Sequence, residues 1–412
     1  MRNRHPELLI PASSLEVLKT AVMFGADAVY IGGEAFGLRA KAKNFSMEDM
    51  KEGVQFAHEH GARVHVTVNI LAHNDDLEGA AEYLKELKEI GPDALIIADP
   101  AIFMLAKEIC PEIERHVSTQ ANNTNYGTFN FWWNLGAKRV VTARELSLKE
   151  IREIRAHIPA EMEIESFIHG AMCISYSGRC LLSNFFTGRD ANQGACTHPC
   201  RWKYSVVEET RPGEYMPVYE NERGTYIFNS KDLCMIEHIP EMIDAGIDSF
   251  KIEGRMKTAL YVATVARTYR KAIDDYLEDP KKYEANMPWY RDQISNCTYR
   301  QFTTGFYFGK PGDESQIYDS NTYIKEYTYL GIIGGIKDGM YRIEQRNKFS
   351  VGETVEIMKP DGQNVEVTVE RIVDENGQEQ ESAPHPKQVL YVALSGEASV
   401  YDILRRQESV TE

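Results

Sequence analysis

The chain lacks several features that would settle its class at once. No run of about eighteen apolar residues occurs in its 412 residues, so no membrane span is expected. The opening MRNRHPELLIPASS has no long apolar stretch and no small-residue cleavage site, so an export leader is not expected and the reading is cytoplasmic. Positive charge is in deficit: 46 Lys and Arg against 62 Asp and Glu leave a net charge of −16, which argues against a nonspecific polyanion binder. There is no H-E-x-x-H, because His58-Glu59-His60 has the wrong spacing, and no G-x-S-x-G. Cysteine is scarce, and none of the seven forms the C-x2-C turn of most zinc ribbons and knuckles.

What is present is a repeat. A helical pattern ends at a Gly, a few residues follow, and a short apolar run begins. Gly25, Gly61, Gly91, Gly136 and Gly246 precede ADAVYIGG, ARVHVTVN, PDALIIADP, AKRVVTAR and IDSFKIEG. Glycine suits the left-handed residue that closes a helix, and apolar runs suit strands buried on both faces. The first helix carries a capping-box pattern, Ser13 to Glu16, ahead of Leu15, Leu18 and Val22. Adding ELLIPA, RHVSTQ, EIESFIHG and TYIFNSKD gives about nine candidate strands alternating with helices. This is an α/β pattern, and eight such units close a TIM-type (β/α) barrel. One strand is then surplus, either misassigned or outside the barrel.

The expected organisation is a (β/α) barrel over residues 1–280 with an insertion at 170–225, a connecting segment at 281–322, and a small β-rich domain at 323–412. That last part alternates apolar and polar residues in short runs such as ETVEIMK and VEVTVERIV, separated by DGQ and ENGQ turns. It reads as an antiparallel barrel or sandwich. It shows no conspicuous catalytic cluster, so docking or substrate positioning is its plain reading.

Four cysteines, Cys173, Cys180, Cys196 and Cys200, crowd into CISYSGRCLLSNFFTGRDANQGACTHPC with spacing C-x6-C-x15-C-x3-C. In a reduced compartment such a cluster is more often a metal or redox site than a disulfide framework. Buried structural thiols are the alternative, and they are the reading for Cys110, Cys234 and Cys297. Spacing alone leaves iron–sulfur and zinc both open. Met172, Phe185 and Phe186 are candidates for an apolar shell around such a site.

The run ESFIHGAMCISYSGRCLLS resembles the signature of the collagenase-like peptidase family U32. The resemblance continues through ACTHPCRW, NSKDL and FKIEGRMK, through LLIPASSLEVLKTAVMFGADAVYIGG, and into GFYFGKP and the β-rich tail. It implies either proteolysis, as the family name says, or hydroxylation, as in branches acting on tRNA wobble uridine, a ribosomal RNA cytidine or a ubiquinone precursor. In the ubiquinone branch the four cysteines hold a [4Fe–4S] cluster, and all four positions are kept here. Length and tail most resemble the tRNA branch, which uses prephenate in forming 5-hydroxyuridine. A noncatalytic partner beside a paralogous subunit is a further reading the family allows.

Chemistry in such a barrel gathers where strands end. Those ends supply Asn69, Asp99, Gln120, Arg144, Glu165, His169, Asn229, Lys231, Asp232, Glu253 and Arg255, and GLRAKAKNFS adds Arg39, Lys41, Lys43 and Asn44. For most single positions a helix cap or loop hydrogen bond is the plainer role. Glu165, His169 and Asp232 are the proton-transfer candidates. Arg39 and Arg255, then Lys41 and Lys231, suit the carboxylates of prephenate, with Asn69, Gln120 and Glu253 completing the substrate set. Between Ala171 and Lys203 the one acid, Asp190, faces Arg179, Arg189, Arg201 and Lys203. With Phe185, Phe186, Trp202 and Tyr204, these cations suit RNA phosphates and unstacked bases. The alternative is that the aromatics shield the cluster.

Overall fold

A computed structural model describes residues 5–34, 36, 44–173, 175–189, 191, 196–201, 205–207, 215–217, 229–254, 257–297, 301–311, 316–317 and 326–408. The chain divides into two compact units. One comprises Met1–Val22, Ala26–Lys257 and Arg300–Thr322; the other comprises Met23–Gly25, Thr258–Tyr299 and Tyr323–Glu412. The long helix Ala259–Glu278 therefore groups with the β-rich tail, not with the barrel expected to run to 280. Its Arg267 explains why: the guanidinium donates to the carbonyls of Lys359 and Gln363 and to Asn364 of the tail.

In the first unit, strands β1 (Glu7–Pro11), β2 (Ala28–Gly32), β3 (Arg63–Val68), β4 (Ala94–Ile97), β5 (Glu114–Val117), β6 (Arg139–Val141) and β7 (Glu163–Ala171) pair in sequence, all parallel. The ring closes through β9 (Ser249–Ile252), parallel to both β7 and β1. The surplus strand is β8 (Asp232–Cys234), which lies outside the barrel, antiparallel to the end of β7. Helices α1 (Leu15–Met23), α2 (Met47–Glu59), α3 (Asn74–Ile90), α4 (Pro100–Ile109), α5 (Tyr126–Leu135) and α6 (Leu148–Ala156) alternate with the strands. Gly25, Gly61, Gly91, Gly136 and Gly246 all take positive φ, as the helix-closing pattern requires. The cap of α1 is Ser14 instead of Ser13, its hydroxyl accepting from the Val17 N–H. No helix among the described residues is long and apolar enough to cross a membrane.

The barrel strands are not apolar on both faces. Their outer positions are (Leu8, Ile10, Val29, Ile31, Val64, Val66), but alternate positions facing the lumen include Glu7, His65, His116, Arg139, Glu163, Glu165 and Lys251. The inward direction follows from the pairing: Arg139 on β6 bonds Glu7 on β1, two strands that are not neighbours and meet only through the interior. Leu9, Ala28, Tyr30 and Ile96 form a small buried apolar patch on these strands.

The second unit closes another barrel, this one antiparallel. Tyr327–Lys337, Met340–Glu344, Val389–Leu394, Asn364–Asp374, Thr354–Met358 and Ile403–Gln407 pair in that order and return to Tyr327–Lys337. The barrel alternative of the sequence reading is thus the one adopted. Gly331 marks a corner, where a Cβ would lie 2.4 Å from Ile343 Cγ2.

Candidate active site at the barrel mouth

The lower interior is an ion network. Arg139 is buried and donates to Glu7, to Glu163 (2.7 Å) and to Glu165 (3.1 Å), and Lys251 Nζ donates to the other Glu165 oxygen at 2.6 Å. Burial works to raise the Glu7 pKa, but the Arg139 charge overrides it and holds the carboxyl well below the usual carboxylate range. Among the described residues, His65, His116 and Glu165 form the one group of three ligand-type side chains with donor atoms within 4.8 Å of one another. A divalent ion there would share the Glu165 carboxylate with two cations already bonded to it, so the trio is a charged core and not a cation site. Burial holds both imidazoles neutral, their pKa values well below the ordinary one. Glu165 thus sits inside the barrel between Arg139 and Lys251, not beside the cysteine segment.

The mouth is built above Phe167. The Arg144 guanidinium, three residues past the end of β6, lies 4.0 Å from the Phe167 ring centroid. Its Nη2 donates to Glu253 at 3.0 Å and its Nη1 to Cys173 Sγ at 3.6 Å. Burial works to lower the Arg144 pKa, but Cys173 and Glu253 beside it raise it. Glu253 is placed by its own N–H, which donates to the His169 carbonyl at 2.8 Å. This approach explains the glycine of the HG pair: a Cβ on Gly170, at φ +107°, would stand 2.5 Å from the Glu253 carbonyl oxygen. Tyr307 of GFYFGKP braces the same strand, donating its hydroxyl to the Phe167 carbonyl.

Across the mouth, the Ser118 hydroxyl accepts from Asn69 Nδ2 and from the Gln120 N–H and donates to Gln120 Oε1, each at 3.4 Å. Asn69 and Gln120 therefore stand together where the sequence reading put them. The cysteine segment folds back onto them: a Cβ on Gly178 would lie 3.5 Å from Gln120 Cβ and 3.7 Å from Leu71 Cδ1. Of the four clustered cysteines, Cys173 and Cys196 are exposed and Cys180 and Cys200 half-buried. The His198 N–H donates to Cys196 Sγ at 3.4 Å. Of the apolar shell expected around them, Met172 is buried whereas Phe185 faces outward.

Other sequence candidates fall elsewhere. Burial first, then Lys257, pushes the His169 pKa down to about 3, so this imidazole is neutral at ordinary pH. Asp232 is buried at the start of β8, its N–H donating to the Gln301 carbonyl, and Lys231 beside it is half-buried. Asp99 caps α4, accepting from the Ala101 and Ile102 N–H groups. Arg39, Lys41, Lys43 and Arg255 lie outside the described residues, as do Trp202, Lys203 and Tyr204. Arg144, read only as a strand end, proves to be the residue that joins Glu253, Cys173 and Phe167. The signal for it was its place next after VVTA in the repeat.

Known proteins are similar to this chain. The model of peptidase family U32 matches residues 13–317, and that of the family's C-terminal domain matches residues 325–405. The tRNA hydroxylation protein P1 of Bacillus subtilis (strain 168) is 43% identical over 405 residues, covering 98% of this chain and 95% of its own. The tRNA hydroxylation protein P of Escherichia coli (strain K12) is 39% identical over 420 residues, covering 92% and 91%. The 23S rRNA 5-hydroxycytidine C2501 synthase of the same organism is 41% identical over 273 residues, covering 66% of this chain and 40% of its own.

Proposed function

The chain belongs to peptidase family U32, and we propose that it acts in tRNA hydroxylation. In this reading it forms the 5-hydroxyl of wobble uridine with prephenate as co-substrate and with a [4Fe–4S] cluster on Cys173, Cys180, Cys196 and Cys200. The carrying observation is the place of those thiols. The four cysteines stand on the segment that follows β7, with Cys173 and Gly178 against residues of the barrel mouth; Cys173 is bonded to a guanidinium and Cys196 to a backbone N–H. Cysteine sulfurs with hydrogen-bond donors beside them fit an iron–sulfur ligand set. A cluster there supplies one-electron transfer beside the mouth.

The chain's own residues do the rest. Arg144 holds Glu253 and Cys173 in one arrangement and fixes positive charge at the rim. The Asn69–Ser118–Gln120 group presents amide donors and acceptors suited to the edge of a pyrimidine base. His169, neutral, supports the strand without carrying charge toward the mouth. The carboxylates of prephenate need further cations, and Arg39, Lys41, Lys231 and Arg255 are the residues proposed for them.

Deleting the gene should remove 5-hydroxyuridine or its derivatives from tRNA, as read by nucleoside mass spectrometry. Wild-type gene should restore them and Cys173→Ala should not. Anaerobically purified protein should hold about four iron and four sulfide per chain. An unchanged nucleoside profile would overturn the tRNA reading, and stoichiometric zinc without iron would overturn the cluster. Casein cleavage abolished by a point variant would move the assignment to a peptidase. Restoration that needs a second family member would make the chain one subunit of the hydroxylase.

A further inference from the structure

The short helix Leu182–Thr187, between Cys180 and Cys196, has its polarity reversed. Ser183 is fully buried, and its hydroxyl accepts from the Thr197 N–H at 3.0 Å and meets the Thr197 hydroxyl at 2.9 Å. Thr187 Oγ1 donates to the Ser183 carbonyl and lies 3.3 Å from the Thr197 hydroxyl. The small polar side chains thus clamp the helix to the residue next to Cys196. The large apolar ones point the other way: Phe185 is 82% exposed, Leu181 66%, Tyr176 45% and Phe186 43%. Phe185 and Phe186 stand edge to face, their centroids 5.1 Å apart. A helix built for stability alone would bury the phenylalanine and expose the serine.

The surroundings narrow what such a face meets. Arg179 and Arg189 are exposed on either side of it, and the sequence from 173 to 201 carries one acid, Asp190, against three arginines. On a chain of net charge −16, this cationic stretch runs against the average. Gly178, beside Arg179, rests on Gln120 and Leu71, so the segment that carries the aromatics leads directly to the mouth. Exposed aromatic rings flanked by arginines in a stretch with one acid suit an unpaired, negatively charged strand: the rings stack on bases and the guanidinium groups hold phosphates.

We propose that Tyr176, Arg179, Leu181, Phe185, Phe186 and Arg189 form the surface that receives a single-stranded RNA loop and delivers one of its bases to the mouth. The proposal rests on the tRNA reading and deepens it by naming the surface.

The test uses the full-length holoprotein and a tRNA transcript with uridine at the wobble position. Phe185→Ala should weaken binding about tenfold, as loss of one base–aromatic stack implies. Arg189→Glu should weaken it and reduce the slope of log K against log salt by about one. Iron content should match wild type in both, since both side chains are exposed. A blunt RNA duplex, which offers no unpaired base, should bind wild type and Phe185→Ala alike. Variants that bind the transcript as wild type does, or a wild type that does not bind it, would overturn the surface. So would a Phe185→Ala chain that binds the transcript normally but loses a co-purifying protein, which would make the face a protein contact. These outcomes differ from failure of the tRNA reading itself, which appears as an unchanged nucleoside profile when the gene is deleted.

Discussion

The parallel barrel of the first unit holds Glu7, His65, His116, Arg139, Glu165 and Lys251 in its interior, whereas the antiparallel barrel of the second holds Leu330, Ile343, Phe349, Ile357, Leu390 and Leu404. Both are closed sheets, so neither interior is forced by an edge that needs covering. The apolar filling stabilises through area and volume, without regard to direction. The charged filling stabilises little in net terms, because each ion loses its water, but it fixes direction: every oxygen and guanidinium has one place to be. The directed interior lies in the barrel that carries the thiols at its mouth. Phe167 links its levels, with Lys251 5.6 Å from the ring centroid and Arg144 4.0 Å from it.

The sharpest way to break this comparison is to remove the hub of the network. Arg139→Leu leaves Glu7, Glu163 and Glu165 without their shared cation. Losing one buried pair costs about 3–5 kcal/mol. Losing three approaches the whole stability of a domain, about 5–15 kcal/mol. The first unit should fail to fold, as read by expression and denaturant titration. Leu390→Ala in the second barrel should cost about 2–5 kcal/mol and leave the chain native. Equal tolerance of the two would remove the distinction.

Acid offers the next contrast. His65, His116 and His169 are held neutral in the folded barrel, with folded pKa values below 6.5, while the unfolded chain takes up these protons near 6.5. The unfolded state therefore binds more protons as pH falls below 6.5, and stability drops. Each imidazole contributes up to about 1.4 kcal/mol per pH unit, persisting for His169 until its folded pKa of about 3. The second barrel has no buried histidine among its described residues. Pulsed hydrogen exchange should show the first unit opening at a pH where the second is still protected. Simultaneous opening of both would contradict the contrast.

The smallest effect is expected from replacing a pair by hydrocarbon. Glu165→Leu or Lys251→Met alone should cost about 3–5 kcal/mol by stranding a buried charge. The double variant should cost less than either, with a coupling of about 2 kcal/mol or more in a double-mutant cycle. If the folded double variant also fails to restore tRNA hydroxylation, the pair serves direction more than stability. Additive losses would show that the two charges do not act as a pair.

The sequence by itself determined the elements. The recurring helix, glycine and apolar run announced the parallel barrel, and period-two alternation with Gly-containing turns announced the β-rich tail. Both patterns are local, set by which residues share a helix face or a strand side. The crowding of Cys173, Cys180, Cys196 and Cys200 after ESFIHG was equally visible, because spacing along the chain needs no folding. Closure decided the rest. That Glu7 meets Arg139, 132 residues away, depends on β9 joining β1 and ending the sheet on itself. That NSKDLC leaves the barrel follows from β8 pairing backwards onto β7. That Arg144 reaches both Glu253 and Cys173 depends on three strands ending at one rim. And Phe185 points outward because the Ser183 and Thr197 hydroxyls take the inner face of its helix. Such pairings join residues far apart in the chain, and alternation along one strand says which side a residue takes but not which distant charge it will find there.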